Sequence, residues 1–246
     1  GRGTRLVEKT EVIPKPLVPI GDKPMLWHIM KIYSHHDHNR FILALGYKGE
    51  MIKEYFIKYP WLHRSFEVNL SHPVSPKSPE DWDVVLKDTG KESKIGKRLN
   101  IVKADIQSFP FLATYGDGLS DVDINKVVDF HSKMRDEQGV IATITITRPR
   151  IQYGVVDEKN NIALGFSEKP LLDKWVNTGF MVLEKEVFKY VKDDEMDFDA
   201  LKKLAADGKL AVFKHNGFFA SMDTYRDYLE LNNLWRDCRP WQVWKD

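Results

Sequence analysis

Three observations predict an α/β fold built on a doubly wound sheet. Short apolar, β-rich runs alternate with segments of helical period, one run is apolar almost without a break, and a chain of 246 residues that is 42% hydrophobic can bury a large core. The nearly unbroken run is Phe41-Ile42-Leu43-Ala44-Leu45, ending at Gly46, which reads as a strand buried on both faces of a parallel sheet. Leu26, Ile29, Met30 and Tyr33 recur at helical spacing before it, and Met51, Ile52, Tyr55 and Phe56 do so after it. The alternation returns with a strand at Phe111-Leu112-Ala113-Thr114-Tyr115, a helix near Ile124 to Met134 and a strand from Val140 to Ile146. From about Gln152 to Leu183 the period shortens to strand, Lys159-Asn160-Asn161 turn and strand, then a further strand Val176 to Leu183, which predicts a small antiparallel insertion over about 150–184 beside the main sheet. A C-terminal helix and tail follow from about 224 to 246, and residues 1–246 read as one domain. His72 to Pro79 carries three prolines and reads as a surface loop. Lys91 to Arg98, basic and punctuated by Gly90 and Gly96, reads either as a nucleotide-wrapping loop or as a solvated one.

Composition narrows the function before any motif does. With 37 basic against 36 acidic residues the net charge is +1, so no strong overall field gathers nucleic acid or an anionic membrane surface. No apolar run approaches the roughly 18 residues of a spanning helix, and no secretory leader is recognisable. The single cysteine, Cys238, forms no internal disulfide and fits a reducing compartment, so a cytoplasmic protein is expected.

The chemistry-bearing residues lie where strands meet loops. Gly1-Arg2-Gly3-Thr4-Arg5 is a glycine-flanked, doubly basic loop, and Pro14-Lys15-Pro16 follows it. Glycines let successive N–H groups point at one anion, arginine adds forked donors and lysine a point charge, so the pair suits a nucleoside triphosphate. The alternative is a frayed terminus and a solvated lysine. After the strand ending at Tyr115 comes Gly116-Asp117-Gly118, a carboxylate at the carboxyl end of a strand and a candidate Mg²⁺ ligand; a hairpin turn is the competing reading. Asp223, between the run Phe218 to Met222 and a helix from Tyr225, is the second candidate ligand, or else the helix N-cap. Glu168-Lys169-Pro170 places a lysine before a proline, which predicts extended backbone and a side chain projecting into a cleft. Asn177-Thr178-Gly179 offers an amide beside a glycine, suited to a sugar hydroxyl, though asparagine in a strand is also simply tolerated.

Other groupings have plainer readings. His35, His36 and His38 around Asp37 end an amphipathic helix and read as dipole-complementing surface residues rather than a zinc site. Asp121-Val122-Asp123 resembles the Asp-x-Asp of metal-dependent glycosyltransferases but is explained by helix capping. Trp235, Trp241 and Trp244 suit either a subunit interface or packing of the tail on its own domain.

The segments Gly1-Arg2-Gly3-Thr4-Arg5-Leu6, Lys15-Pro16-Leu17-Val18-Pro19-Ile20, Lys23-Pro24-Met25-Leu26, Tyr115-Gly116-Asp117-Gly118, Glu168-Lys169-Pro170 and Met222-Asp223-Thr224 together resemble the ordered motifs of the sugar-1-phosphate nucleotidylyltransferases. Leu26-Trp27-His28-Ile29-Met30, Gly46-Tyr47-Lys48-Gly49 and Gly217-Phe218-Phe219 are most similar to the cytidylyl branch. The resemblance implies a Rossmann-like, mostly parallel sheet with helices on both faces, Mg²⁺ as cofactor, a homo-oligomer (hexameric in the cytidylyl branch), and synthesis of CDP-glucose from CTP and glucose 1-phosphate with release of pyrophosphate. It assigns Gly3, Thr4, Arg5, Lys15, Arg98 and Gly116 to the nucleotide, Asp117 and Asp223 to the metal, and Gly154, Glu168, Lys169 and Asn177 to the sugar and its phosphate. Lys15, Arg5 and Lys169 are the implied catalytic groups. The family loop follows a hydrophobic strand, and nothing precedes Gly1, so the first strand of the sheet is expected to be missing from the chain. Thr178 and Phe219-Ala220-Ser221 depart from the branch pattern near the sugar, and the stretch Asp197 to Leu201 lacks the usual Glu-Pro-Leu. Uridylyl or thymidylyl transfer, a glycosyltransferase and a non-catalytic sugar-nucleotide-binding module stay open on the residues alone.

Overall fold

A computed structural model describes residues 12–63, 65, 78–151, 153–193 and 199–245. In chain order a short 3-10 turn, Lys15–Leu17, leads into a tight hairpin of β1 (Pro19–Ile20) and β2 (Lys23–Pro24), then the helix Met25–Ser34, β3 (Arg40–Leu45) and the helix Gly49–Leu62. Next come β4 (Asp83–Asp88), the helix Ile95–Val102, β5 (Phe111–Ala113), β6 (Gly118–Ser120), the helix Ile124–Gln138 and β7 (Ala142–Thr147). The chain closes with β8 (Val155–Lys159), β9 (Ile162–Ser167), β10 (Val176–Leu183), the helix Asp199–Ala206, β11 (Leu210–Lys214), β12 (Phe219–Ser221) and the helix Tyr225–Asp237. Among the described residues no helix is long and apolar enough to cross a membrane.

The α/β alternation read from the sequence is present, and its parallel pairs are β3 with β4 and β7 with β11. Two details differ from expectation. β3 is only half-buried, because it pairs with β4 in a ribbon and packs on a small cluster around Leu26, Met30, Leu45 and Ile52. The strands buried at every position are β7 and the short β6. β10, read as part of the antiparallel insertion, instead lies between β7 and β5 in the order β11-β7-β10-β5 and runs antiparallel to both. Phe180, Val182 and Leu183 are buried there, which a surface hairpin could not provide. The hairpin β8–β9 stands apart as its own two-stranded sheet.

Local chemistry sets the helix ends that matter for the site. Asp123 caps the helix Ile124–Gln138 by accepting from Lys126 N at 3.1 Å, and Gly139 at φ 63° closes it. Asp121 accepts from Phe218 N at 2.7 Å and lies 2.8 Å from His215 Nε2, so both acids of the Asp-x-Asp pattern are engaged in holding elements together. A capping box starts the helix Tyr225–Asp237: Thr224 Oγ1 accepts from Asp227 N at 3.2 Å while Asp227 Oδ2 accepts from Thr224 N at 2.8 Å.

The helix Met25–Ser34 is buried on nearly all sides and is the centre of the larger core. Trp241 and Trp244 fold back onto it, so these tail indoles pack on their own chain. Trp241 Nε1 donates to His28 Nδ1 at 3.3 Å, and His28 Nε2 lies 2.9 Å from the Ile20 carbonyl. An indole N–H only donates and a carbonyl only accepts, so His28 is neutral with its proton on Nε2. Gly21 at φ +66° completes the hairpin between β1 and β2; its N–H donates to Asn232 Oδ1, and a Cβ there would meet the Trp235 ring at 2.1 Å.

Burial lowers the His28 pKa to about 4, outweighing the hydrogen bond to Ile20 and the nearby Asp22. The folded value lies below the unfolded one of about 6.5, so the unfolded chain takes up the proton first and stability falls as pH drops from about 6.5 to about 4, by about 3 kcal/mol in all. Urea midpoints across that interval should therefore fall less steeply for His28→Gln than for the wild type. Equal slopes in the two proteins would rule out the neutral buried ring as the cause.

Candidate active site

Three elements distant in sequence deliver three charged side chains to one point. Asp117 precedes β6 and Asp223 follows β12, and these strands pair antiparallel with Gly118 opposite Ser221. The register is continued by Met222 N donating to the Asp117 carbonyl at 2.9 Å, which seats the two aspartates side by side. Lys15 arrives from the 3-10 turn, whose Pro16 packs against Gly116; a Cβ at Gly116 would stand 3.3 Å from the proline ring. Lys15 Nζ then lies 2.7 Å from Asp117 Oδ2 and 2.8 Å from Asp223 Oδ1.

The electrostatics follow from unequal burial. The Lys15 side chain is 13% exposed, that of Asp117 33% and that of Asp223 46%, so the ammonium sits inside and the carboxylates open outward. Burial works against the lysine's charge, but Asp117 and then Asp223 outweigh it, and the Lys15 pKa stands above the ordinary lysine value. Ser221 Oγ donates to Asp223 Oδ2 at 3.0 Å and orients that carboxylate. The capping role available to Asp223 has passed to Thr224, while the Asp223 N–H is held by Asp227 Oδ2 at 2.9 Å. The hairpin reading of Asp117 is also replaced, since a helix follows β6 rather than its partner strand.

Two hard carboxylate oxygens already sharing one cation suit Mg²⁺, which takes oxygen ligands and commonly one or two protein carboxylates plus phosphate oxygens. Among the described residues no group of three or more His, Cys, Asp or Glu side chains converges on a metal position, and His36 instead faces Asp123 at 3.7 Å.

The residues expected at the sugar form two further groups. Glu168 approaches Gly154 so closely that a Cβ there would meet Glu168 Oε2 at 3.3 Å and the Phe166 ring at 2.5 Å. Lys169 corrects an expectation: its φ is 46°, left-handed rather than extended. The turn there lets Pro170 to Leu172 pair with Pro149 to Ile151, through Ile151 N to the Pro170 carbonyl at 2.8 Å and Leu172 N to the Pro149 carbonyl at 2.9 Å. Asn177 Oδ1 accepts from Gly179 N at 2.9 Å, whereas its buried Nδ2 has no partner among the described residues, a donor in need of an acceptor. Thr178 points the other way and donates to the Thr145 carbonyl at 2.9 Å.

Arg98 lies at the carboxyl ends of β3 and β4. Its Nε donates to the Ser93 carbonyl at 3.0 Å and its Nη1 to Thr89 Oγ1 at 2.6 Å, with Gly46 against the guanidinium. The second half of the basic loop is the helix Ile95–Val102, and Gly96 admits the Lys192 carbonyl, which a Cβ would meet at 2.1 Å. Lys48 Nζ donates to the Val12 carbonyl at 2.8 Å and so ties the chain ahead of Lys15 to the end of β3. Gly3, Thr4 and Arg5 lie outside the described residues. Sequence reasoning missed Ser221 and Asp227 as supports; the signal available was their spacing of two and four residues from Asp223.

Gly179 at φ +88° lies under Tyr115, where a Cβ would meet Tyr115 Cδ2 at 2.4 Å. Gly179→Ala should therefore lower stability by about 2 kcal/mol, from backbone strain and displacement of the ring beside Gly116 and Asp117. Unchanged urea and thermal midpoints would contradict that geometry.

The chain is similar to known proteins over its whole length. The nucleotidyl transferase family profile matches residues 1–246. The chain is 42% identical over 250 residues to the probable glucose-1-phosphate cytidylyltransferase of Bacillus subtilis, covering 99% of this chain and 97% of that protein. It is also 42% identical over 254 residues to the glucose-1-phosphate cytidylyltransferase of Salmonella typhimurium, covering 100% of this chain and 97% of that protein. Among solved structures, apo UDP-glucose pyrophosphorylase matches with a TM-score of 0.67 at 18% identity, covering 97% of this chain and 96% of the other. The inositol-1-phosphate CTP transferase from T. maritima matches with a TM-score of 0.63 at 16% identity, covering 97% and 94%. These two structures bear on the fold alone.

Proposed function

This chain belongs to the nucleotidyl transferase family, and from that premise we propose that it transfers the cytidylyl group of CTP to glucose 1-phosphate, giving CDP-glucose and pyrophosphate. The single observation that carries the reading is the convergence of Lys15, Asp117 and Asp223 on one point, in a chain similar over its whole length to two glucose-1-phosphate cytidylyltransferases.

The reaction joins two anions that repel each other. A phosphate oxygen of the sugar phosphate forms a bond to the α-phosphorus of CTP while the bond from that phosphorus to the bridging oxygen of the β-phosphate breaks, and the electron pair leaves with pyrophosphate. The attacking oxygen is already ionised, so no protein nucleophile is needed, and catalysis rests on positioning and on neutralising charge. Asp117 and Asp223 would hold Mg²⁺, which when bound neutralises phosphate charge. Lys15 supplies a positive charge beside the triphosphate, whose other contacts we assign to Gly3, Thr4, Arg5, Arg98 and Gly116. Lys169 meets the sugar phosphate. Glu168 accepts from sugar hydroxyls, the buried Nδ2 of Asn177 donates to one, and Gly154 lets the sugar approach the backbone. Arg5, Lys15 and Lys169 are the charge-neutralising catalytic groups in this reading.

We also assign the 150–184 segment to sugar binding, and assembly as a homo-oligomer to the chain. Val156, Ile162, Leu164 and Phe166 on the β8–β9 hairpin are more than half exposed and offer apolar surface to a second copy. A cytoplasmic location goes with the lone, exposed Cys238.

Pyrophosphate release measured with CTP, UTP, dTTP and GTP against several hexose 1-phosphates should be fastest with CTP and glucose 1-phosphate. A higher rate with another pair would reassign the substrate. Asp117→Asn and Asp223→Asn should each lower kcat by about 100-fold or more while circular dichroism stays unchanged, since each removes a placed charge. Wild-type rates in either variant would remove that aspartate from the mechanism.

A further inference from the structure

The seat that Asp117 and Asp223 offer to a divalent cation already holds a cation of the protein's own. Lys15 Nζ contacts both carboxylates, at 2.7 and 2.8 Å, and the lysine side chain is the most buried of the three. We infer that Lys15 is the resident counter-ion of this carboxylate pair, displaced when a divalent cation takes the two aspartates, and that the exchange couples metal binding to triphosphate binding. Identification of the triphosphate rests on the proposed reaction; the competition between lysine and metal does not.

The charges favour such an exchange. Without Lys15, the two carboxylates lose the cation they share, and with both Lys15 and a dication at the same oxygens, two cations repel at contact range. Each state is avoided if one cation replaces the other. The backbone of Lys15 stays where it is, because Leu17 N bonds the Pro14 carbonyl at 2.8 Å, Val18 N bonds the Lys15 carbonyl at 3.1 Å, and Pro16 abuts Gly116. The motion therefore falls to the flexible four-carbon stem of the side chain. Ser221 Oγ keeps its hydrogen bond to Asp223 Oδ2 and preserves that carboxylate's orientation through the exchange. A triphosphate alongside gives the displaced ammonium a new anion. Linkage then makes the factor by which triphosphate tightens metal equal to the factor by which metal tightens triphosphate. The free enzyme should bind divalent cations weakly, so that metal and nucleotide bind together.

The test is Mn²⁺ affinity of the intact chain without nucleotide, read from the electron paramagnetic resonance signal of free Mn²⁺. Lys15→Met should bind Mn²⁺ about 10-fold more tightly than the wild type, within the usual coupling range. Lys15→Gln, the second neutral variant, should do the same, and Lys15→Arg should stay as weak as the wild type. Adding Asp117→Asn to Lys15→Met should abolish the gain. Neutral variants that bind no more tightly than the wild type, or a gain that survives Asp117→Asn, would overturn the inference. Pyrophosphate release by the wild type separately judges the reaction, whatever the Mn²⁺ titration shows.

Discussion

One ammonium shared by two carboxylates organises the functional half of this molecule. Lys15 lies in an N-terminal turn, Asp117 before β6 and Asp223 after β12, and each arrives by a different route. What makes the meeting possible is the short antiparallel pairing of β6 with β12, which sets Gly118 opposite Ser221 and leaves the aspartates at adjoining ends. Backbone hydrogen bonds supply the register, and the side-chain charges then need only small adjustments. A centre whose backbone is held in this way leaves only side chains to move when its substrates arrive, and preorganised charge of that kind is the condition for stabilising a transition state.

The C-terminal segment connects this centre to the core. Its helix begins with the capping box at Thr224 immediately after Asp223, and its tail buries Trp241 and Trp244 against the helix Met25–Ser34. The same helix, through His28, holds the Ile20 carbonyl of the hairpin that follows the Lys15 turn. Lys15 and Asp223 thus stand on elements bound to one aromatic cluster. Packing there keeps the bases and acids in step, since an indole and an imidazole in close contact tolerate little relative motion.

The residues proposed for the sugar differ in how firmly they are held. Glu168 and Gly154 meet across the β8–β9 region, whose strands are exposed, whereas Asn177 belongs to the buried sheet and reaches the centre through Gly179 and Tyr115. The departure at Thr178 proves to be internal, because its hydroxyl is spent on the Thr145 carbonyl and its side chain is buried.

Much of this was legible from residue order alone. Periodicity located most helices and strands, because the spacing of apolar side chains is a local property, and Gly116-Asp117-Gly118 and Asp223 stood out because strand ends followed by helices are where ligands gather. Three features were decided only by the tertiary structure. β10 joined the main sheet rather than the insertion, since pairing depends on which buried edge is free and not on the strand's own residues. Lys169 took a left-handed turn because partners at Pro149 and Ile151 outweighed the preference of a residue before proline. Lys15, read as a phosphate ligand, sits on two carboxylates 102 and 208 residues away. The chain's order determined which charges it carries and which segments can fold; which charges meet was settled by long-range pairing, because electrostatic partners are chosen by distance in space.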